Sequence, residues 1–220
     1  MKDFPVFTTE YGVASLTMKQ IPYRGEAYIQ VQDSAPGQRE ALIRECADFC
    51  RAAGAEKILV TPAEGEPDIR ILEMRGVPSL DFEEVQNIFP VTEETVSRWR
   101  EIANQRLRLV DLAAMLEKKD EQRILSSGGA YFIHSQGTLL GIGWLEGEEL
   151  KLLASVVPGA GYQVAQTLLS VQPGQSIRLE VASTNGKAIR LYERLGFLPV
   201  AELETWQELK TADSGVSDEA

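Results

Sequence analysis

The side chains of this chain that could do chemistry gather in its second half. Tyr192 is a phenol, with an ordinary pKa near ~10, so at neutral pH it keeps a proton that it can donate. Glu146, Glu148 and Glu149 are carboxylates in and beside one turn, and any of them could accept a proton, directly or through water. Between these groups runs Val157-Pro-Gly-Ala-Gly161-Tyr-Gln-Val-Ala165, which joins a strand to a helix. A helix start presents partnerless N–H groups and the positive end of the backbone dipole, and glycines let a phosphate approach the chain. An ordinary strand-to-helix turn would use the same glycines. His134 has a side chain suited to base chemistry, but its place inside an apolar strand fits a structural histidine. Cys46 and Cys50 lie four apart in a helical pattern and read as buried thiols. One histidine and two cysteines make neither a disulfide framework nor a metal site. Trp99, Trp144 and Trp206 read as core or interface residues.

The elements that must hold these groups follow from periodicity. Ile177-Arg-Leu-Glu-Val181 alternates as a strand, and Asn185-Gly-Lys-Ala-Ile-Arg-Leu-Tyr-Glu-Arg-Leu-Gly196-Phe197 reads as cap, helix and stop. The Asn185 side chain can accept from the first turn. Ala188, Leu191, Tyr192 and Leu195 fall on one face. Gly196 suits a left-handed C′ position, with Phe197 folding back toward Tyr192. Upstream come a strand-like entry at 84–91, a helix at 93–110 capped by Thr92, and a second helix at 111–125. A hairpin follows, 130–135 and 138–145, turning at Gln136-Gly137. Then come a strand at 150–157, a helix at 162–171 and a last strand at 200–209.

The first half reads as a hairpin (14–20 and 26–32), an amphipathic helix (38–53) ended by Gly54, a strand (58–61) and a short helix (67–75) closed by Gly76. Asp68-Ile-Arg-Ile-Leu-Glu-Met-Arg-Gly76-Val77 lines up with Ala188-Ile-Arg-Leu-Tyr-Glu-Arg-Leu-Gly196-Phe197, with Ile, Arg, Glu and Gly at matching places. Self-similarity at a fixed period marks repeated units.

The string from Asn185 to Phe197 resembles the last strand–helix unit of the GNAT N-acetyltransferase superfamily, Asn-x-x-Ala-x-x-Leu-Tyr-x-x-x-Gly-Phe. The element order from Glu84 to Leu209 is similar to that fold. The resemblance implies an α/β (α+β) protein with a mixed central sheet flanked by helices. Residues 1–80 would be a truncated copy in tandem with a fuller domain at 81–210, and 211–220 a flexible acidic tail. It implies acetyl-CoA as co-substrate and transfer of its acetyl group to a primary amine, a small molecule or a peptide. Cofactor contacts would come from Ser155, Val156, Val157, Gly159, Gly161, Tyr162, Gln163, Val164, Ala165, Asn185, Ala188 and Tyr192. The oxyanion donor would be a backbone N–H at 155–157, Tyr192 the acid that protonates the departing thiolate, and Glu149 a base. The loop departs from the family's Gln/Arg-x-x-Gly-x-Gly/Ala pattern: Ala160 stands where Gln or Arg is usual, and Gln163 where a Gly is usual. Leu72, at the place of Tyr192 in the first half, would make that copy inactive. The alternative is a non-catalytic module of the same fold that binds acyl-CoA or a protein.

Bulk properties narrow the class. The 220 residues carry a formal net charge of −11, which excludes the basic stripe that nucleic acid requires. With 44% hydrophobic residues the chain can bury a substantial core. No apolar run spans a bilayer and no signal-peptide core is present, so a cytoplasmic protein is expected. A strand edge at 205–209 could pair with a second copy in a homodimer.

Overall fold

Alternating apolar residues near the N-terminus build a curled antiparallel start. The computed structural model describes residues 6–210, so the tail at 211–220 lies outside the described residues. Two compact units emerge; one runs to Ile69 and resumes at Glu204, and the other is Arg70–Leu203. The expected boundary at residues 80/81 therefore falls inside the second unit.

In the first unit, β1 (Val6–Thr9) pairs antiparallel with β2 (Gly12–Thr17). A single helical turn, α1 (Ile21–Arg24), leads to β3 (Glu26–Ser34), antiparallel to β2. Helix α2 (Arg39–Ala52) follows Pro36-Gly37, where Gly37 has φ +72°. It buries Leu42, Ile43, Cys46, Ala47 and Cys50. Strand β4 (Lys57–Thr61) then runs parallel to β3 in unbroken register from Glu26↔Lys57 to Gln30↔Thr61.

The second unit opens with β5 (Ile69–Gly76), which pairs along Ile71–Gly76 with a later strand of the same unit. These residues were expected to form a helix. Ile69 and Leu72, like Ile71 and Met74, stand three apart as in a helix, but the alternation of Ile69 and Ile71 suits a strand, and the segment is drawn into six antiparallel pairs with a later strand. Gly76 does not close a helix. A side chain there would meet Gly196 O at 2.6 Å and Phe197 Cα at 2.8 Å, so only glycine lets the two backbones touch. The helix-to-helix repeat drawn through Asp68 and Ala188 is thereby overturned.

Next come β6 (Asn87–Pro90) and α3 (Val96–Leu107), which starts three residues later than expected. Helix α4 (Glu121–Ser127) is shorter than the expected 111–125. Glu117 and Asp120 cap a single 3₁₀ turn at 118–120, so helix begins anew there. The preceding loop is closed at its ends by Asn104, which donates to Leu116 O at 2.9 Å and accepts from Leu116 N at 2.8 Å. Strands β7 (Ala130–Ser135), β8 (Thr138–Glu146) and β9 (Glu149–Ser155) form a meander. Helix α5 (Gly161–Leu169), β10 (Ile177–Ala182), α6 (Gly186–Arg194) and β11 (Leu198–Glu208) complete the chain. Within this unit the strand order is β5-β10-β9-β8-β7-β6, with only β9 and β10 parallel.

Helices cover both faces of this sheet. Val96, Trp99, Ile102 and Ala103 of α3 pack with Ile142, Trp144 and Leu152 on one face. Val164, Ala165, Leu168 and Leu169 of α5 pack with Ile133, Leu140 and Leu150 on the other. Gly141 and Gly143 of β8 let α5 lie close; an added Cβ at Gly143 would stand 2.3 Å from Leu168 Cδ2. In the first unit, the last residues of β11 pair with β4 (Gln207↔Val60, Glu208↔Leu59). The segment 205–209, expected as a free edge for a homodimer, is thus already taken.

Candidate functional site

Parallel neighbours usually stay in register, and β9 and β10 do not. They pair only at Arg178↔Glu149 and Leu179↔Leu150. Beyond this point β10 keeps to β5 as far as Ala182↔Ile71, and β9 keeps to β8 as far as Ser155↔Gly141. The facing edges of residues 151–155 and 180–182 therefore open into a wedge. At its open end lie the turn at 156–160, the start of α5 and the start of α6.

The edge of β9 can be resolved group by group. Val156 N and Val157 N both donate to Leu140 O, at 2.7 and 3.3 Å, which is a bulge on the β8 side. Neither N–H is available to a ligand in the wedge. Ala154 O also faces β8, since it would meet a Cβ on Gly141 at 2.5 Å. Backbone groups alternate between the two edges of a strand, so the Ser155 N–H points to the open side. Of the three residues expected to hold an oxyanion, Ser155 is the one with a donor to give.

Helix α5 starts uncapped. Its N-cap, Ala160, offers no side-chain acceptor, so the N–H groups of Gly161, Tyr162 and Gln163 depend on solvent or a ligand. Gly159, at φ +84°, bends the chain into this start. Gly161 has room around it, with Leu191 Cδ2 3.7 Å and Ser155 Oγ 3.9 Å from where a Cβ would stand. Sequence reasoning missed the cations here. The Arg194 guanidinium stacks 3.8 Å over the Tyr162 ring, and Lys187, Arg190 and Arg194 of α6 form no ion pair among the described residues. The signal was present as three basic residues at helical spacing on α6, but only the fold brings one of them, Arg194, onto α5. Val164 and Ala165, expected to touch a cofactor, are wholly buried in the core and hold the helix rather than line the wedge.

Helix α6 is built as its sequence foretells. Asn185 Oδ1 accepts from Ala188 N at 3.3 Å. Gly196 has φ +92°, Phe197 N donates to Tyr192 O at 3.0 Å, and Gly196 N donates to Glu193 O at 3.0 Å. This is the paired C-terminal motif expected of Gly at C′. It seats Phe197 against Tyr192, with ring centroids 5.9 Å apart. Tyr192 is 8% exposed, and burial pushes its phenol up to about 12. No group among the described residues bonds its hydroxyl.

Glu149 stands elsewhere. It lies at the closed end of the wedge, paired to Arg178 at 2.6 Å and to Lys151. Six residues of strand at roughly 3.3 Å each put it about 20 Å from Ser155. Glu146 is held by Arg123, whose hydrogen bond keeps its carboxyl below the ordinary range. The acids of the 146–149 turn are thus remote from the chemistry they were assigned. Asp111 is at the open end instead, accepting from Thr184 Oγ1 at 2.8 Å. His134 sits two strands from β9 between the rings of Phe89 and Phe132, its Nδ1 buried without a partner. Cys46 and Cys50 are buried, and burial raises both thiols to about 11. Trp99 and Trp144 form an edge-to-face pair in the core, and Trp206 packs on Tyr28.

No helix among the described residues is long and apolar enough to cross a membrane, and no cluster among them could hold a metal ion. No protein-family model and no curated protein matches the chain by sequence. Solved structures match it by fold. A GCN5-related N-acetyltransferase from Sphaerobacter thermophilus superposes with a TM-score of 0.56 at 12% identity, covering 90% of this chain and 76% of that one. A conserved protein of unknown function from Staphylococcus epidermidis gives 0.55 at 12%, covering 94% of each. A GNAT-family acetyltransferase from Colwellia psychrerythraea gives 0.50 at 15%, covering 91% and 81%. A wedge between two parallel strands, an uncapped helix at its mouth and these superpositions lead to one conclusion: the chain has the fold of the GNAT N-acetyltransferases.

Proposed function

We propose that the chain is an N-acetyltransferase that moves an acetyl group from acetyl-CoA to a primary amine. The observation that carries this reading is the β9–β10 wedge ending on the uncapped start of α5. The residues there fit the co-substrate. Free N–H groups of Gly161, Tyr162 and Gln163, with Arg194 beside them, suit a pyrophosphate. The open edge of β9 suits an amide-bearing arm.

When bound, acetyl-CoA supplies an activated acyl carbonyl. The Ser155 N–H is placed to donate to that carbonyl oxygen as charge develops on it. Asp111, fixed by Thr184, takes over the base role first assigned to Glu149 and accepts the proton of the amine. The amine nitrogen bonds to the acyl carbon, the carbon–sulfur bond breaks, and the Tyr192 hydroxyl gives its proton to the sulfur. A phenol held near 12 keeps that proton throughout the neutral range.

The first unit repeats the pairing order of β7 to β10: antiparallel, antiparallel, Pro-Gly turn, helix, parallel strand. We read it as a partial copy whose parallel pair is closed, and hence without a wedge of its own.

The test is a thermal melt and calorimetric titration with acetyl-CoA, followed by a thiol-release assay with an amine panel. Ligand at ~100 times its dissociation constant adds about 2.7 kcal/mol, several degrees in Tm. Binding with turnover supports the enzyme. Binding without turnover on any amine supports a non-catalytic acyl-CoA module, and no binding removes the enzyme and leaves the protein-binding module.

A further inference from the structure

Six arginines are half-buried among the described residues, and five of them hold a carboxylate. Arg24 pairs with Glu26, Arg39 with Glu64, Arg70 with Glu202, Arg100 with Glu121 and Arg178 with Glu149. Arg106 has none. Its Nη2 donates to Val156 O at 3.0 Å, and its Nε is buried with no partner at all. In a chain of net charge −11, a partly desolvated guanidinium without an anion is costly unless something else supplies one.

Its position says what that could be. Arg106 continues the buried stripe of α3, following Trp99, Ile102 and Ala103, where an apolar side chain would have been expected. It contacts the residue next to Ser155, the one with a free N–H at the open end of the wedge. Helix α3 lies on the opposite face of the sheet from α5, whose start suits the phosphates. An anion at Arg106 is thus on the far side of the strand from the pyrophosphate and beside the reacting carbonyl.

We propose that Arg106 is the carboxylate-binding group of the acceptor site, and that the acetylated amine carries a carboxylate close to its nitrogen, as an amino acid does. This rests on the acetyltransferase reading. One N–H of Nη2 holds Val156 O and Nε is shut away from solvent, so the carboxylate takes the remaining N–H groups of Nη1 and Nη2. The acceptor's amine, one or a few carbons away, then lies over the acyl carbon.

The experiment pairs each amino acid with its own carboxamide as acceptor, with acetyl-CoA, in wild type, Arg106→Gln and Arg106→Lys. Calorimetry with acetyl-CoA alone and a melt accompany each protein. Wild type is expected to favour at least one acid over its carboxamide by about 10- to 100-fold in kcat/KM, the range of a charge-assisted hydrogen bond. Arg106→Gln loses that preference through KM while its acetyl-CoA affinity stays within twofold, and Arg106→Lys recovers part of it. Equal use of acid and carboxamide by wild type overturns the proposal, as does a preference that survives in Arg106→Gln. Tenfold weaker acetyl-CoA binding by a folded Arg106→Gln also overturns it, assigning the anion to a co-substrate phosphate. Wild type that does not bind acetyl-CoA fails at the calorimetric step, before any acceptor is added, and removes the function and this inference together.

Discussion

Replacing Tyr192 by phenylalanine deletes one oxygen atom and nothing else. The ring packs on Phe197 at 5.9 Å and is 8% exposed, so its apolar contacts survive. The hydroxyl has no partner among the described residues, so no hydrogen bond is lost within the protein. A hydroxyl held in apolar surroundings without a partner is unfavourable by about 1–3 kcal/mol, reduced here because the tip retains slight access to solvent. Tyr192→Phe is therefore expected to be as stable as wild type or more so by about 1 kcal/mol, a rise of roughly 2–4 °C in Tm for a chain of this size. Catalysis should move the other way. Loss of a general acid lowers kcat by about 10²- to 10⁴-fold, with acetyl-CoA affinity unchanged. The pH profile adds a second check. With its pKa near 12, Tyr192 is about 0.1% ionised at pH 9, against about 10% for an ordinary phenol. Stability that depends on the neutral phenol is complete below pH 10 and is lost progressively as pH rises from about 10 through 12. The kcat of wild type should likewise have no alkaline limb from this residue below pH ~11. Melting curves, calorimetry and kcat against pH measure all of this. An intact kcat in Tyr192→Phe, a loss of more than 2 kcal/mol in stability, or an alkaline limb near pH 9 that the substitution abolishes would refute the reasoning.

Gly161→Asp places a carboxylate at the first turn of α5, where the space is adequate; calorimetry should show acetyl-CoA binding weakened at least ~10-fold while the helix dipole holds Tm level or raises it. Gly143→Ala drives a methyl into Leu168, which is fully buried, and urea denaturation should show a loss of about 1–3 kcal/mol. The thiols of Cys46 and Cys50, buried and raised to about 11, should react with an aromatic disulfide at pH 8 only as fast as the protein unfolds; labelling in the mixing time would contradict their burial.

Much of the second unit is legible in local sequence because its signals act over short range. Asn185, Gly196 and Phe197 fix both ends of α6 through bonds spanning five residues or fewer. Gln136-Gly137 sets the hairpin, and Leu168-Leu169 mark the buried end of α5. Strand β5 was misread because Asp68–Gly76 satisfies two periods at once, and its partner lies a hundred residues downstream. The wedge itself has no local signature, since it is the failure of two strands to pair. Arg106 was passed over because a charge on an apolar stripe looks like an exception to the pattern, and only the carboxylate pairs of the other half-buried arginines make its lack of one visible. Glu149 was misplaced by reading nearness in sequence as nearness in space, though a strand carries its two ends far apart.

The closed pair β3–β4 gauges what the open pair forgoes. The two units share a pairing order, yet one zips five registered residue pairs and the other two. Each backbone hydrogen bond not formed leaves about 0.5–1.5 kcal/mol unclaimed, so β9 is an edge strand held inside a sheet, its Ser155 end stocked with unused donors and acceptors. Such an interior edge should exchange its amide hydrogens with solvent far faster than β8 beside it, and should fall silent in exchange once a ligand's amides lie along it.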